Sequence, residues 1–222
     1  MEQLITVAKA HECDAIHPGY GFLAENAEFA RQCEQAGLMF IGPAPDVLEL
    51  FGNKSSARAL AERCQVPLVN GINSPVSQEA AEAFLAQHGA LMLKAVAGGG
   101  GRGIRAVTSK EELEQAFSRC RSEAQAAFGN GDLYVEQLIA RARHIEIQVL
   151  GDGTGAVSHL WERDCSIQRR NQKLIELAPS PGLDPVLRDE MINCALVMAK
   201  AVNYRGLGTF EFLVDEDQPG RF

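Results

Sequence analysis

The chain has 222 residues, of which 46% are hydrophobic and 23% charged, a balance typical of a folded protein in water. Its formal net charge of -8 argues against nucleic acid or an anionic membrane as a partner, because both carry negative charge themselves. No apolar run approaches the roughly 18 residues that span a bilayer, and the first residues do not resemble a signal peptide. The six cysteines form no C-x-x-C pair, which favours a reducing compartment, the cytoplasm or, in a eukaryote, the mitochondrial matrix.

Residues 1–47 alternate between helix and strand. A helix over 2–11 precedes a short strand in DAIHPGYG, and the amphipathic helix ENAEFARQCEQAG is followed by the strand LMFIGP. A strand, a helix and a strand in this order predict parallel pairing. No strand with a glycine turn opens the segment, so we expect the first part of this sheet to be absent.

The rest of the chain mixes helices with longer strands. Helices are predicted in APDVLELFG, SSARALAERC, EAAEAFLAQHG, SKEELEQAFSRCRSEAQAAFG and DPVLRDEMINCALVMAKAVNY. Strands are predicted in LMLK, IRAV, LYVEQLI, HIEIQVLGDG, AVSHLWERD and GTFEFLVDE, while VPLVNG is a strand or a linker and CSIQRRNQK a loop. Ser109 and Glu112 have capping-box spacing at the start of the helix predicted in SKEELEQAFSRCRSEAQAAFG.

Four consecutive glycines at 98–101, followed by Arg102 and Gly103, are the strongest local signal. They match G-x-G-x-x-G, but that dinucleotide fingerprint needs a helix directly after the glycines, and IRAV predicts a strand. A Walker A loop would end in Gly-Lys-Ser/Thr, and a kinase loop carries its lysine after the glycines, whereas Lys94 precedes them. A strand, glycine loop and strand can close over phosphates with backbone N–H groups. A flexible surface hairpin remains the alternative.

Two predicted strands carry polar side chains on one face. Period-2 alternation in HIEIQV places His144, Glu146 and Gln148 together, opposite the isoleucines and valine. In TFEFLV, Glu211 interrupts an apolar strand, where a carboxylate is costly to bury unless it is paired or metal-bound. Glu211 is therefore either an oxygen ligand for Mg²⁺ on ATP or a solvent-facing edge residue. His144 is either a nucleotide contact or a hydrogen-bonded structural histidine.

The loop CSIQRRNQK gathers Arg169, Arg170 and Lys173 in an otherwise acidic chain. Cations next to a metal-binding carboxylate would suit an anionic substrate. On composition alone, a solvated run of charge is the better explanation of the loop.

Seven motifs occur in order along nearly the whole chain: HPGYGFLAEN (17–26), FIGP (40–43), GNKSSAR (52–58), KAVAGGGGRGIR (94–105), RHIEIQVLGDG (143–153), ERDCSIQRRNQK (162–173) and GTFEFL (208–213). Together they resemble the biotin carboxylase subunits and domains of acetyl-CoA, propionyl-CoA and pyruvate carboxylases.

The resemblance implies an ATP-grasp fold, of α/β and α+β class, with a glycine-rich lid and a preceding Rossmann-like α/β domain. Residues 1–47 would be part of that preceding domain, and residues 48–222 an ATP-grasp domain that is incomplete at its C-terminus. The lid would span about 67–138. We therefore expect a piece of a longer enzyme, cut short at both ends.

The resemblance also assigns roles to individual residues. Lys173 is expected to bind bicarbonate, with Gln168 near it, and these two form the catalytic pair. Glu211 is the first of two acidic Mg²⁺ ligands. The expected nucleotide contacts are Lys54, Lys94, Gly100, Gly101, Glu136, Ile139, His144 and Asn171. Asn171 stands where many relatives have histidine, so it can hydrogen-bond the nucleotide but cannot carry charge.

The implied reaction is the ATP-dependent carboxylation of biotin. Bicarbonate attacks the γ-phosphate of ATP bound with Mg²⁺ (or Mn²⁺), carboxyphosphate forms, and the derived CO₂ is captured by biotin on its carrier domain. A carboxyltransferase would use the product, and the parent would be a homo-oligomer.

The second acidic ligand, an asparagine ligand and a catalytic arginine would follow Phe222, so the isolated chain is expected to be inactive. An inactive nucleotide-binding fragment and another bicarbonate-using ligase, of carbamoyl-phosphate synthetase type, are the alternative functions.

Overall fold

The computed structural model describes residues 1–72, 74–97, 103–169 and 172–222. Seven α-helices lie within these ranges: α1 (Glu2–Ala10), α2 (Ala27–Gln35), α3 (Pro45–Gly52), α4 (Lys54–Arg63), α5 (Gln78–His88), α6 (Lys110–Phe128) and α7 (Pro185–Ala201). Ten strands lie there: β1 (Ala15–Ile16), β2 (Met39–Phe40), β3 (Gly71–Ile72), β4 (Leu91–Ala95), β5 (Ile104–Val107), β6 (Leu133–Gln137), β7 (Ala142–Asp152), β8 (Val157–Arg169), β9 (Gln172–Leu177) and β10 (Arg205–Asp215). None of the described helices is long and apolar enough to cross a membrane.

The chain divides into two compact units that are not continuous in sequence. Unit one comprises residues 1–52, 147–162 and 184–210, and unit two comprises residues 53–146, 163–183 and 211–222. The predicted boundary at residue 47 and the lid over about 67–138 stay predictions.

Unit one contains the small parallel pair β1 and β2, in which Ala15 lies opposite Met39 and Ile16 opposite Phe40. This confirms the parallel pairing predicted from the order of elements. Helix α2 connects the two strands and packs Phe29 edge-to-face against Phe40, with ring centroids 6.0 Å apart. Both rings are almost fully buried, so α2 and β2 share one apolar core.

Unit two contains an antiparallel sheet in the order β3-β6-β4-β5. Helices α5 and α6 pack on it, and apolar side chains from both helices and from β4, β5 and β6 form its core. Strands β4 and β5 pair with Lys94 opposite Ile104, which confirms a strand on each side of the glycine loop. The loop itself, residues 98–102, lies outside the described residues.

The third sheet has the order β10-β7-β8-β9. In β7, Ile145, Ile147 and Val149 are fully buried, as the period-2 pattern predicts for its apolar face. The prediction of a loop over CSIQRRNQK was wrong, because β8 continues to Arg169 and β9 begins at Gln172. These two strands form an antiparallel pair, and its register places Gln168 opposite Lys173.

The start of α6 differs from the predicted capping box. Ser109 occupies the N-cap position, but its side chain makes no capping hydrogen bond. Glu112 instead accepts hydrogen bonds from the backbone N–H and the hydroxyl of Thr108, at 3.4 and 3.3 Å. The Glu112 carboxylate therefore accepts from Thr108, one residue before Ser109, which is the partner that a capping box predicts.

Gly151 in β7 is required by a close backbone approach within unit one. A Cβ at this position would lie 1.9 Å from the carbonyl oxygen of Tyr204, so one of the two segments would have to shift. We expect Gly151→Ala to lower the free energy of unfolding by about 1–3 kcal/mol, as overpacking does. Urea denaturation measures this, with Gly52→Ala as the matched control, since nothing lies within 4 Å of a Cβ added at Gly52. Equal destabilisation by both variants would contradict the prediction.

Candidate active site

The first group of site residues, called here the lysine cluster, consists of Lys54, Arg58, Lys94 and Glu136 in unit two. Lys94 from β4 forms an ion pair with Glu136 from the neighbouring strand β6. Arg58 from α4 approaches the other carboxylate oxygen of Glu136, with its Nη1 3.8 Å from Oε2. The Tyr134 hydroxyl donates to the same oxygen at 3.4 Å. Glu136 is only 6% exposed, so these cations and the hydroxyl offset the cost of burying its charge.

Lys54 lies at the first position of α4, and its backbone N–H donates to the carbonyl of Val96, at 3.4 Å. Desolvation, followed by the positive charge of Lys94, lowers the pKa of Lys54 below its usual value. The charges of Glu136 and Glu211 oppose this shift. Two ammonium groups that repel each other across a partly buried space form a favourable site for a polyanion.

The second group, called here the carboxylate cluster, consists of His144, Glu146, Lys173 and Glu211. Lys173 from β9 forms ion pairs with Glu146 from β7 and with Glu211 from β10, the latter at 2.8 Å. His144 Nε2 lies 3.4 Å from Glu211 Oε1 and 3.8 Å from Glu146 Oε1. The side chain of Glu146 is 3% exposed, whereas that of Glu211 is 55% exposed. The cluster therefore has a buried carboxylate at its base and an open one at its rim.

The close approach of His144 lowers the pKa of Glu211 to about 2, with the ammonium of Lys173 acting in the same direction and a partial loss of hydration opposing both. Glu211 is thus ionised at neutral pH, the state in which a carboxylate binds a metal ion.

His144, Glu146 and Glu211 each offer one ligand atom, and these three atoms lie within 4.8 Å of one another. Two carboxylates suit Mg²⁺, and the imidazole nitrogen is a better ligand for Mn²⁺. The donor set therefore fits a divalent cation.

Gln168 orients the histidine. Its Nε2 lies 2.8 Å from His144 Nδ1 and also donates to the carbonyl of Cys165 at 2.9 Å. This contact fixes the orientation of the imidazole ring, with Nε2 facing Glu211. The Ser166 hydroxyl accepts from the backbone N–H of His144 at 2.9 Å, so the backbone and the ring of His144 are both held.

Most of the residues predicted from the sequence fall into these two clusters or against them. Lys54, Lys94 and Glu136 come together in the lysine cluster, and His144, Gln168, Lys173 and Glu211 meet in or beside the carboxylate cluster. Ile139 follows β6 and is half-buried. Gly100, Gly101 and Asn171 lie outside the described residues.

Two site residues were missed as functional candidates, Glu146 and Arg163. The period-2 pattern already placed Glu146 on the same face as His144, but nothing in the sequence alone indicated its contact with Lys173. Arg163 Nη2 lies 2.8 Å from Glu146 Oε2, a contact between β8 and β7 across 17 positions of sequence.

Comparison with known proteins identifies the family to which the chain belongs. Residues 1–48 match the biotin carboxylase N-terminal domain, and residues 53–222 match the family described as carbamoyl-phosphate synthase L chain, ATP binding domain. The chain belongs to the biotin carboxylase family. Pyruvate carboxylase from Bacillus subtilis (strain 168) is 51% identical to this biotin carboxylase chain over 220 residues, which are 98% of the chain and 19% of the relative.

Two solved structures of biotin carboxylases share the fold, which is the ATP-grasp fold of the family. The complex of biotin carboxylase from Campylobacter jejuni with β-γ-ATP has a TM-score of 0.94 and 45% identity, over 97% of this chain and 49% of that one. The biotin carboxylase domain dimer of 2-oxoglutarate carboxylase from Hydrogenobacter thermophilus, with MgADP, ADP and bicarbonate, has a TM-score of 0.92 and 47% identity, over 97% and 48%. The biotin carboxylase chain thus spans about half of these two structures and about a fifth of its curated relative.

Proposed function

We propose that this chain binds ATP with Mg²⁺ and forms part of the site where a parent acyl-CoA or pyruvate carboxylase carboxylates biotin with bicarbonate. The observation that carries the proposal is the carboxylate cluster. It holds one ammonium group, that of Lys173, beside two carboxylates that can ligate a metal ion. A metal site and a fixed cation side by side are what transfer of a phosphoryl group to a small anion requires.

The lysine cluster would hold the triphosphate. Lys54 and Lys94 are the proposed phosphate contacts, because each is partly buried and both lie close to Glu136. The backbone from Glu136 to Ile139 would lie along the adenine edge, and Gly100 and Gly101 would close over the phosphates. Asn171 would add a neutral hydrogen bond to the nucleotide.

The carboxylate cluster would hold the reacting anion. Lys173 is the proposed bicarbonate ligand, with Gln168 opposite it in the strand register and bonded to His144. Glu146 and Glu211 would hold Mg²⁺, which when bound offsets charge on the phosphate oxygens. Lys173 would orient bicarbonate so that its oxygen attacks the γ-phosphorus, giving carboxyphosphate and ADP, and CO₂ from carboxyphosphate would then carboxylate a ureido nitrogen of biotin.

The proposed partners follow from the same reaction. A carrier domain would present biotin to the site and would then carry carboxybiotin to a carboxyltransferase. The parent would be an oligomer, as the Hydrogenobacter domain is a dimer. All six cysteines are free, three of them buried, which suits the reducing environment of cytoplasm or mitochondrial matrix.

A carbamoyl-phosphate synthetase-type ligase is the second candidate, because the family matched by residues 53–222 carries that description. Both enzymes would use bicarbonate and ATP. Biotin distinguishes them in the full-length parent protein, since faster ATP cleavage by the parent on addition of free biotin supports the first function and no response to biotin supports the second.

Titration of ATP into the chain, with and without Mg²⁺, tests nucleotide binding directly. We expect Mg²⁺ to increase the affinity for ATP, and we expect Glu211→Gln to reduce this metal-dependent gain about tenfold, because the amide keeps the shape but loses the charge that binds the metal. Isothermal calorimetry gives both dissociation constants.

The control is Glu123→Gln, which removes a half-exposed carboxylate on α6 that pairs with Arg105 and belongs to neither cluster. It is expected to leave both constants unchanged. Absence of ATP binding by the wild-type chain under both conditions would overturn the proposed function of this chain.

A further inference from the structure

Arg163 lies on β8 between two carboxylates of the neighbouring strands. Its Nη2 is 2.8 Å from Glu146 Oε2 on β7, and its Nε is 3.6 Å from Glu176 Oε2 on β9. The arginine side chain is 27% exposed and that of Glu176 is 50% exposed, whereas that of Glu146 is nearly inaccessible at 3%. The contact with Glu146 is therefore the shielded one, where electrostatic attraction is strongest.

The two oxygens of Glu146 have different neighbours. Oε2 faces Arg163, while Oε1 faces Lys173 and lies 3.8 Å from His144 Nε2. A carboxylate rotates about its last bond unless both oxygens are engaged. Because Arg163 holds Oε2, Oε1 stays directed toward His144 and Glu211, the other two members of the candidate metal-ligating group.

Lys173 cannot supply this restraint throughout the proposed reaction. The same ammonium group contacts Glu146 and Glu211 and is the proposed ligand of bicarbonate. When it turns toward the anion, it weakens its contact with Glu146. A guanidinium is always charged and bonds through a planar fork, so Arg163 keeps a cation on the buried carboxylate at that moment.

We propose that Arg163 is a positioning residue, which aims Glu146 Oε1 into the metal site and leaves Lys173 free to serve the substrate anion. This rests on the proposed function for the role of Lys173, but the effect on the metal site can be measured without nucleotide or turnover.

The test is titration of Mn²⁺ alone into the chain, with free Mn²⁺ followed by electron paramagnetic resonance. We expect Arg163→Met to weaken Mn²⁺ binding about 10- to 100-fold, the usual effect of removing a group that orients a metal ligand. Arg163→Lys keeps the charge but not the fork, so we expect it to recover most of this loss, to within about tenfold of wild type. Arg31→Met is the matched control, because Arg31 is 41% exposed and pairs with Glu28 and Glu49 at the surface.

Wild-type Mn²⁺ affinity in Arg163→Met, or equal losses in Arg163→Met and Arg31→Met, would overturn the inference. Circular dichroism establishes whether each variant is folded. If Arg163→Met does not fold, the Arg163→Lys variant alone provides the test. We then expect its affinity for Mn²⁺ to fall about three- to tenfold, and an unchanged affinity would overturn the inference. A wild-type chain that binds no Mn²⁺ also overturns the inference. If the chain binds Mn²⁺ in a way that depends on Arg163 but binds no ATP, the inference is supported and the proposed function alone is contradicted.

Discussion

Lys94→Ala is expected to weaken MgATP binding by about 10- to 100-fold. Under the proposed function Lys94 contacts a phosphate of ATP, and the variant loses this hydrogen bond to a charged partner, which contributes roughly 1.5–3 kcal/mol. It also leaves the buried carboxylate of Glu136 without its nearest cation, so that Arg58, 3.8 Å away, and the charge of Lys54 must offset it. An approaching polyanion would then meet a site that is more negative than before.

Isothermal calorimetry with MgATP measures the effect, and Lys110→Ala is its control. Lys110 also pairs with a glutamate, Glu82, but its side chain is 71% exposed and lies outside both clusters. If the two alanine variants bind MgATP equally well, the assignment of Lys94 to the phosphate site is wrong.

Asp164→Ala is expected to lower the free energy of unfolding by about 3–5 kcal/mol, because it breaks a buried ion pair and leaves Arg143 with the more distant carboxylate of Glu216, 3.8 Å from its Nε. Asp164 is 8% exposed and accepts from Arg143 Nη2 at 2.7 Å. The same nitrogen donates to the Ser180 hydroxyl and to the carbonyl of Pro181, at 2.7 and 2.8 Å. The segment after β9 is thus anchored to β7 through this one guanidinium.

Urea denaturation of wild type and variant at neutral pH gives the difference. Asp217→Ala is the control, because Asp217 pairs with Arg141 where both side chains are more than half exposed, and such surface pairs contribute about 0–1 kcal/mol. Similar losses in the two variants would show that burial does not decide the strength of the pair.

The same pair predicts how the difference depends on pH. Desolvation alone would raise the pKa of Asp164, but hydrogen bonds from Ser166 and Arg143 outweigh it and lower the pKa below the usual value. A lowered carboxyl pKa stabilises the fold above the unfolded value of about 3.9, and that contribution is lost as pH falls through the lower, folded value. The gap between wild type and Asp164→Ala should therefore be constant above about pH 5 and should narrow below pH 4. A gap that stays unchanged down to pH 3 would contradict this.

Local patterns in the sequence predicted much of the fold. Alternation in β7 separated the buried Ile145 and Ile147 from His144, because a strand repeats every two residues whatever surrounds it. The helices and the parallel pair in unit one followed from periodicity and element order in the same way. These features depend on neighbours in sequence, which a single chain displays directly.

The parts that escaped prediction depend on partners distant in sequence. The segment CSIQRRNQK, predicted as a loop, contributes instead to β8 and β9, and its polar composition concealed these strands because β9 is exposed along its whole length. The register between β8 and β9 also shifts, between Asp164 and Ile167 and again between Ile167 and Gln168. An irregularity of this kind changes which side chains meet. The contacts of Arg163 with Glu146 and of Arg143 with Ser180 also join segments distant in sequence, so they could not be derived by counting residues.

The pairing of Lys94 with Glu136, and of Lys173 with Glu146 and Glu211, has a consequence for selectivity among anions. Each of these ammonium groups is already neutralised within an acidic chain, so neither one adds to an open basic patch that would attract polyanions indiscriminately. Under the proposed function, a ligand gains either cation only by displacing a carboxylate from it. Binding is then an exchange of partners, which favours a compact anion that fits the site over a long flexible one that merely carries more charge.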